Sequence, residues 1–230
     1  MGQYYRGAIL NKEALNNNEI KIEKALCCYI HGNGPKLMEH SYVGNTYVGA
    51  YVKLLAEQYY GYPFVWAGDY ADDKLNVNVH DKALQYIDDF IKVNAEKQGY
   101  VKENDSTYSK FMRYDSGDRI ILSAMKDEED FAEKYTFKEV GGNQLDYKYI
   151  LNLDKKQYAK IPEYNENEWT IHPLPLLCAD GNGRGSGDYQ GINMNKVGIW
   201  AYDKIGISND IPNGFTELVV NFEEYDFSEL

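Results

Sequence analysis

Apolar positions recur at helical spacing in two stretches of this chain. Val48, Tyr51, Val52, Leu55 and Tyr59 predict a helix that Ser41 caps, running to about Tyr59, where Gly61 and Pro63 end it. Leu84, Ile87, Phe90 and Ile91 predict a second helix over Asp81–Lys97, with Gly99 as its stop. Elsewhere the apolar residues form short runs between turn signals. Gln3–Leu10, Lys24–Ile30, Pro63–Ala67 and Arg119–Ala124 read as strands, with a short acid-led helix over Asp127–Tyr135. After residue 146 the pattern is mostly β. Tyr147–Leu153 and Gln157–Ile161 flank Asp154-Lys155-Lys156 as a hairpin. Thr170–Cys178, Val197–Ser208 and Thr216–Phe222 supply three more strands.

No regular β-α-β alternation appears, which argues against a doubly wound parallel sheet. The pattern predicts an α+β fold: one domain over residues 1–230, with a largely antiparallel or mixed sheet carrying two main helices. The polar stretch at about 99–143 reads as an insertion. Val65-Trp66-Ala67-Gly68-Asp69 is echoed by Ile199-Trp200-Ala201-Tyr202-Asp203. The shared role expected is a tryptophan in the core and an aspartate at the strand end or turn.

Composition sharpens this picture. With 43% hydrophobic and 14% aromatic residues, 230 residues are ample for a core without staples. The 22 tyrosines, against 8 Phe and 3 Trp, suit half-buried strand positions and binding surfaces alike. A net charge of −12 argues against general nucleic-acid binding and against anionic membrane surfaces. Cys27, Cys28 and Cys178 form no disulfide framework and fit a reducing compartment. The expectation is a cytoplasmic protein with no cofactor.

The richest chemistry lies between Asp180 and Asp188, where four glycines, two aspartates and Arg184 share nine residues. Gly181, Gly183, Gly185 and Gly187 free the backbone amides to converge on an anion, and Arg184 supplies a fork for a carboxylate or phosphate. Gly181, Asn182, Gly183, Arg184, Gly185 and Asp188 are therefore the candidate ligand-binding set. Should the protein be an enzyme, His172 and Asp180 are the candidate bases. The alternative for the same segment is a glycine loop between strands, with Arg184 paired to Asp180 or Asp188. Asp69, Asp72 and Asp73 cluster after a strand; Asp69 and Asp72 are weak metal candidates, but an acidic turn is the plainer account. His31, His40, His80 and His172 are too scattered for a zinc site.

Asp180-Gly-Asn-Gly-Arg184 also resembles the loop half of the Fic signature. His172-Pro173, however, stands nine residues before Gly181 rather than about five, and the second arginine is missing. A base displaced that far does not reach its substrate, so the Fic mechanism is set aside. A broader likeness is carried by Met1-Gly-Gln-Tyr-Tyr5, Lys36-Leu-Met-Glu-His-Ser41, Val65-Trp-Ala-Gly-Asp-Tyr-Ala-Asp72, Ile171-His-Pro-Leu-Pro-Leu176 and Gly181-Asn-Gly-Arg184. In these motifs the chain resembles a small family of gut bacteria and their phages over residues 1–73 and 147–223. The 99–143 stretch is longer here. That resemblance implies a phage or mobile-element protein but transfers no active site. The function expected is non-enzymatic binding, either sequestering a small phosphate-bearing ligand or blocking a host protein. The alternative is an enzyme acting on a nucleotide or other phosphate compound through the glycine loop.

Overall fold

The computed structural model describes residues 2–97 and 147–223. Among them, eight strands form one mostly antiparallel sheet. The strands are β1 (Tyr5–Leu10), β2 (Ile22–Ala25), β3 (Tyr62–Gly68), β4 (Tyr149–Asn152), β5 (Gln157–Lys160), β6 (Ala179–Asp180), β7 (Lys204–Ser208) and β8 (Thr216–Glu217). Their order is β2-β1-β3-β7-β4-β5-β8, with β6 on the side against β3. β3–β6 and β5–β8 are parallel and the remaining pairs antiparallel, so the sheet is mixed. Five helices accompany it: α1 (Lys12–Asn16), α2 (Leu37–His40), α3 (Thr46–Ala56), α4 (Val79–Lys97) and α5 (Pro173–Leu177). The two long ones, α3 and α4, are the two that periodicity predicts.

The long helices cover opposite faces of the sheet. Tyr5 and Ile9 of β1 and Phe64 and Trp66 of β3 pack with Tyr47, Val48, Tyr51 and Val52 of α3. The alternate residues Ala8, Leu10, Val65 and Ala67 pack with Val79, Ala83 and Ile87 of α4. Strands covered on both sides lose the apolar–polar alternation, which is why every residue of β1 is buried. α3 buries eight of its eleven residues, as a helix apolar nearly all round must.

Tyrosine hydroxyls do backbone work inside this core. The β1–β2 ladder runs from Leu10↔Ile22 to Ala8↔Ala25, and the next facing residues, Gly7 and Leu26, do not bond each other. Instead the Tyr51 hydroxyl donates to the Gly7 carbonyl at 2.5 Å and accepts from the Leu26 amide at 2.8 Å. The Tyr47 hydroxyl accepts from the Gly7 amide at 3.4 Å and donates to the Leu26 carbonyl at 3.2 Å. Two side chains thus satisfy four buried backbone groups where the strands part. A Cβ at Gly7 would lie 2.7 Å from the Tyr51 ring, so glycine is required there for the close approach. Several tyrosines are therefore fully buried rather than half-buried as their number implies.

Local departures from expectation have local causes. α3 begins later than Ser41, because the Asn45 side chain accepts from the amides of Tyr47 and Val48; Ser41 instead ends α2. The expected strand Lys24–Ile30 stops at Ala25 and gives way to a 3-10 turn at Cys28–His31. The expected strand Thr170–Cys178 is overturned: Pro173 starts helix α5, a position where its missing N–H costs nothing. Within Val197–Ser208 only Lys204–Ser208 is strand, and within Thr216–Phe222 only Thr216–Glu217.

The expected hairpin forms with Asn152 opposite Gln157. Trp66 and Trp200 are both fully buried, though Trp200 sits in a turn rather than a strand. Asp69 and Asp203 both pin backbone or side-chain donors: Asp69 accepts from the Tyr4 amide, Asp203 from Asn152 and Lys155. The elements expected at Arg119–Ala124 and Asp127–Tyr135, and the insertion at 99–143, lie outside the described residues.

Candidate functional site

The glycine loop leaves the sheet where β3 exchanges partners. The first part of β3 pairs with β7 at Tyr62 and Pro63, and its last part pairs with β6 at Trp66 and Ala67. Asp180 therefore delivers residues 181–188 beside the turn that follows β3 and against the N-terminal segment. The Gln3 amide donates to the Ser186 carbonyl at 3.1 Å, and the Met38 amide to Gly187 at 3.2 Å.

The convergent amides expected from the sequence are present, and the protein's own Asp188 occupies them. Asp188 Oδ2 accepts from the amides of Gly183, Arg184 and Gly185 at 2.7, 2.8 and 3.0 Å. Its Oδ1 accepts from the Tyr5 hydroxyl at 3.1 Å. Asp188 is only 6% exposed. Gly183 adopts φ +94, the left-handed turn that lets its amide and the two after it face inward together. Burial, and then the Asp188 charge, push the Tyr5 hydroxyl far above its ordinary pKa, so it stays protonated and donates. Asn182 closes the base of the loop: its side-chain oxygen accepts from the Tyr189 amide at 2.9 Å and its nitrogen donates to the Tyr189 carbonyl at 3.1 Å.

Arg184 points outward. Its guanidinium makes a two-pronged pair with Asp72, at 2.8 Å to Oδ1 and 2.5 Å to Oδ2, and also donates to the Tyr70 carbonyl at 2.8 Å. The hydrogen bond from Arg184 holds the Asp72 carboxyl below its usual range. The guanidinium of Arg184 thus pairs with Asp72 of the acidic turn, and with neither Asp180 nor Asp188. Asp180 accepts from the Tyr202 hydroxyl at 2.5 Å. Of the weak metal candidates, Asp72 is engaged by Arg184 and Asp69 by the Tyr4 amide. Among the described residues no three His, Cys, Asp or Glu side chains are grouped to hold a metal ion.

His172 is not brought to the loop. It is fully buried and caps α5, its Nδ1 accepting from the Leu174 amide at 3.2 Å. Burial lowers its pKa to about 3. An accepting Nδ1 on a neutral ring leaves the hydrogen on Nε2. His40 is buried likewise and lowered to about 4; its Nε2 accepts from the Trp66 indole at 2.8 Å and its Nδ1 lies 3.0 Å from the Gly34 carbonyl.

Sequence reasoning missed the residues that close the site. Tyr5, Tyr70 and Tyr202 fall within the quoted motifs, but nothing in those motifs marks them as partners of the loop. It also missed Gln3, fully buried against the loop with both ends of its amide unpartnered. Compared with known protein families, curated proteins and solved structures, the chain matches no family model, no curated sequence and no solved structure. Among the described residues no helix is long and apolar enough to cross a membrane.

Proposed function

We propose that this is a non-enzymatic binding protein, acting by engaging a partner macromolecule, with a host protein as the target its phage-like motifs suggest. One observation carries the reading: the two carboxylates of the candidate phosphate-handling site are engaged within the fold, and its histidine is sealed in the core, away from the loop. Asp188 fills the amide nest, Asp180 is tied to Tyr202, and His172 is a neutral helix cap. Catalysis needs a positioned base and open donors where charge develops, and these groups offer neither.

A second reading, capture of a small phosphate-bearing ligand, is favoured by Arg184. Its pairing with Asp72 lies at the surface, where an incoming phosphate can compete for the same fork. An enzyme acting on a nucleotide would use the same fork, with Asp180 as base.

Phosphorus NMR of the protein incubated with ATP and with inorganic phosphate tests these readings. The expected result is unchanged ATP. Shifts of the phosphate resonance that vanish in Arg184→Ala would favour the small-ligand reading. Turnover that Asp180→Asn abolishes in a folded protein would overturn the binding proposal.

A further inference from the structure

Away from the glycine loop, a cleft of about 570 Å³ opens between the segment before α5 and the segment after β8. Its walls include Tyr42, Trp169 and Phe222, with Glu168, Asn221 and Glu223 among them. Trp169 is the anomaly: 82% exposed, while Trp66 and Trp200 are fully buried. Its ring stands edge-on to Tyr42, with centroids 5.0 Å apart at 89°. Tryptophan is enriched among binding hot spots, and an exposed apolar patch rimmed by polar residues marks an interaction site.

The two segments on either side of the cleft carry acids and no bases of their own. Residues 161–171 carry Glu163, Glu166 and Glu168 and no Lys or Arg; residues 216–223 carry Glu217 and Glu223 and again no base. Of these, Glu217 is engaged by Lys160 at 2.9 Å, and Glu223 accepts from the Asn221 side chain. Glu163, Glu166 and Glu168 are exposed. Aromatic faces beside carboxylates suit a guanidinium, which stacks on indole and pairs with carboxylate in the same pose.

The apolar surface continues beyond the cleft. Ile192, Met194 and Val219 are exposed. Their segments are laced to the cleft wall: the Ile192 amide donates to the Glu223 carbonyl at 3.0 Å and the Asn193 side chain to the Asn221 carbonyl at 2.7 Å. Lys196, a base in that strip, donates to the Val219 carbonyl at 2.6 Å. A free cation would leave this strip uncovered. A second copy of the chain, at net charge −12, would bring an acidic surface to an acidic surface.

We propose that the Tyr42–Trp169–Phe222 cleft is the docking site for an arginine-bearing basic segment of a partner protein. The arginine enters the cleft and the flanking residues cover Ile192, Met194 and Val219. This rests on the binding reading above and names its partner's chemistry.

The test is fluorescence titration of the whole protein with an alternating arginine–glycine hexapeptide, its citrulline counterpart, and arginine amide. Trp169 is the solvent-exposed indole, so occupancy of the cleft quenches the red side of the emission. Saturable quenching by the arginine peptide is expected, with Trp169→Ala weakening binding about tenfold or more, as measured by calorimetry. Glu168→Gln should weaken it about threefold and flatten its salt dependence. Both residues are exposed, so neither change threatens the fold. Three results would overturn the proposal: no saturable binding at millimolar peptide, citrulline peptide binding as tightly, or Trp169→Ala binding within twofold of wild type. Arginine amide binding as tightly as the peptide would overturn the commitment to a protein segment. Failure here with ATP left intact removes the cleft alone, whereas ATP turnover removes the binding reading.

Discussion

Removing the Asp188 carboxylate distinguishes an internally satisfied loop from an open ligand site. Asp188→Ala strips the acceptor from three amides, those of Gly183, Arg184 and Gly185, and from the Tyr5 hydroxyl. A buried donor left without a partner costs about 1–3 kcal/mol, and bonds to a charged acceptor sit at the strong end of the scale. Water entering the space left by the side chain recovers part of that loss. At about 1 kcal/mol per donor, the low end of the range, the four donors together come to roughly 4 kcal/mol. For a chain of this size, each kcal/mol lowers the melting temperature by about 2–4 °C, so a drop of roughly 10 °C is expected.

The vacated nest should then accept an anion from solution. Formate at about ten times its dissociation constant would restore ~1.4 kcal/mol to the variant. Wild type, whose nest is filled, should gain nothing comparable. Urea unfolding of both proteins, followed by the fluorescence of Trp66 and Trp200 with and without formate, gives the numbers. A loss under ~1 kcal/mol for the variant, or equal stabilisation of wild type by formate, would refute the reasoning and reopen the loop as a ligand site.

The other expectations concern the core, acid and the surface pair. Tyr51→Phe deletes the hydroxyl bridging the Gly7 carbonyl and the Leu26 amide, and should cost about 2–4 kcal/mol in urea unfolding, with faster hydrogen exchange at Leu26. Burial holds His172 at about 3 and His40 at about 4, below the unfolded value near 6.5, so the unfolded chain binds protons that the native state refuses. Stability is therefore complete above about pH 6.5 and falls as pH drops towards 4. His172→Asn, which keeps a capping oxygen, should lessen that slope by about one proton in unfolding measured between pH 7 and 4.5. Asp72→Asn should leave the unfolding midpoint unmoved, because exposed ion pairs add little, while freeing Arg184 for added phosphate as read by phosphorus NMR.

How much of this was legible in the sequence depended on how far each cause reaches. α3 and α4 repeat their apolar residues every three or four positions, a signal contained within the helix itself, and both were found. The β4–β5 hairpin is equally local, fixed by its turn. The stretch 170–178 misled because a short apolar run with prolines has no period of its own. Pro173 at a first helical position, behind a capping His172, decided it. Ser41 and Asn45 are both good caps, but the Ser41 hydroxyl is spent on the Leu37 carbonyl while Asn45 takes the first amides of α3.

The glycine loop shows the same limit at the level of chemistry. Its glycines correctly mark a place where amides converge, because that property belongs to the backbone. What the amides hold is decided by a residue the loop itself supplies. An aspartate three to five positions beyond the converging amides can fold back onto them, as Asp188 does onto Gly183, Arg184 and Gly185. That spacing was visible, but it counted towards a ligand set rather than against one. Trp169 is the converse case. In Glu163-Tyr-Asn-Glu-Asn-Glu-Trp169 it is the large apolar residue at the end of a polar, acidic run, so no neighbour in sequence would bury it. A glycine loop carrying its own acid argues for scaffold, and a tryptophan among acids argues for surface. On both counts the more promising place to look for a partner is the 168–171 edge rather than residues 180–188.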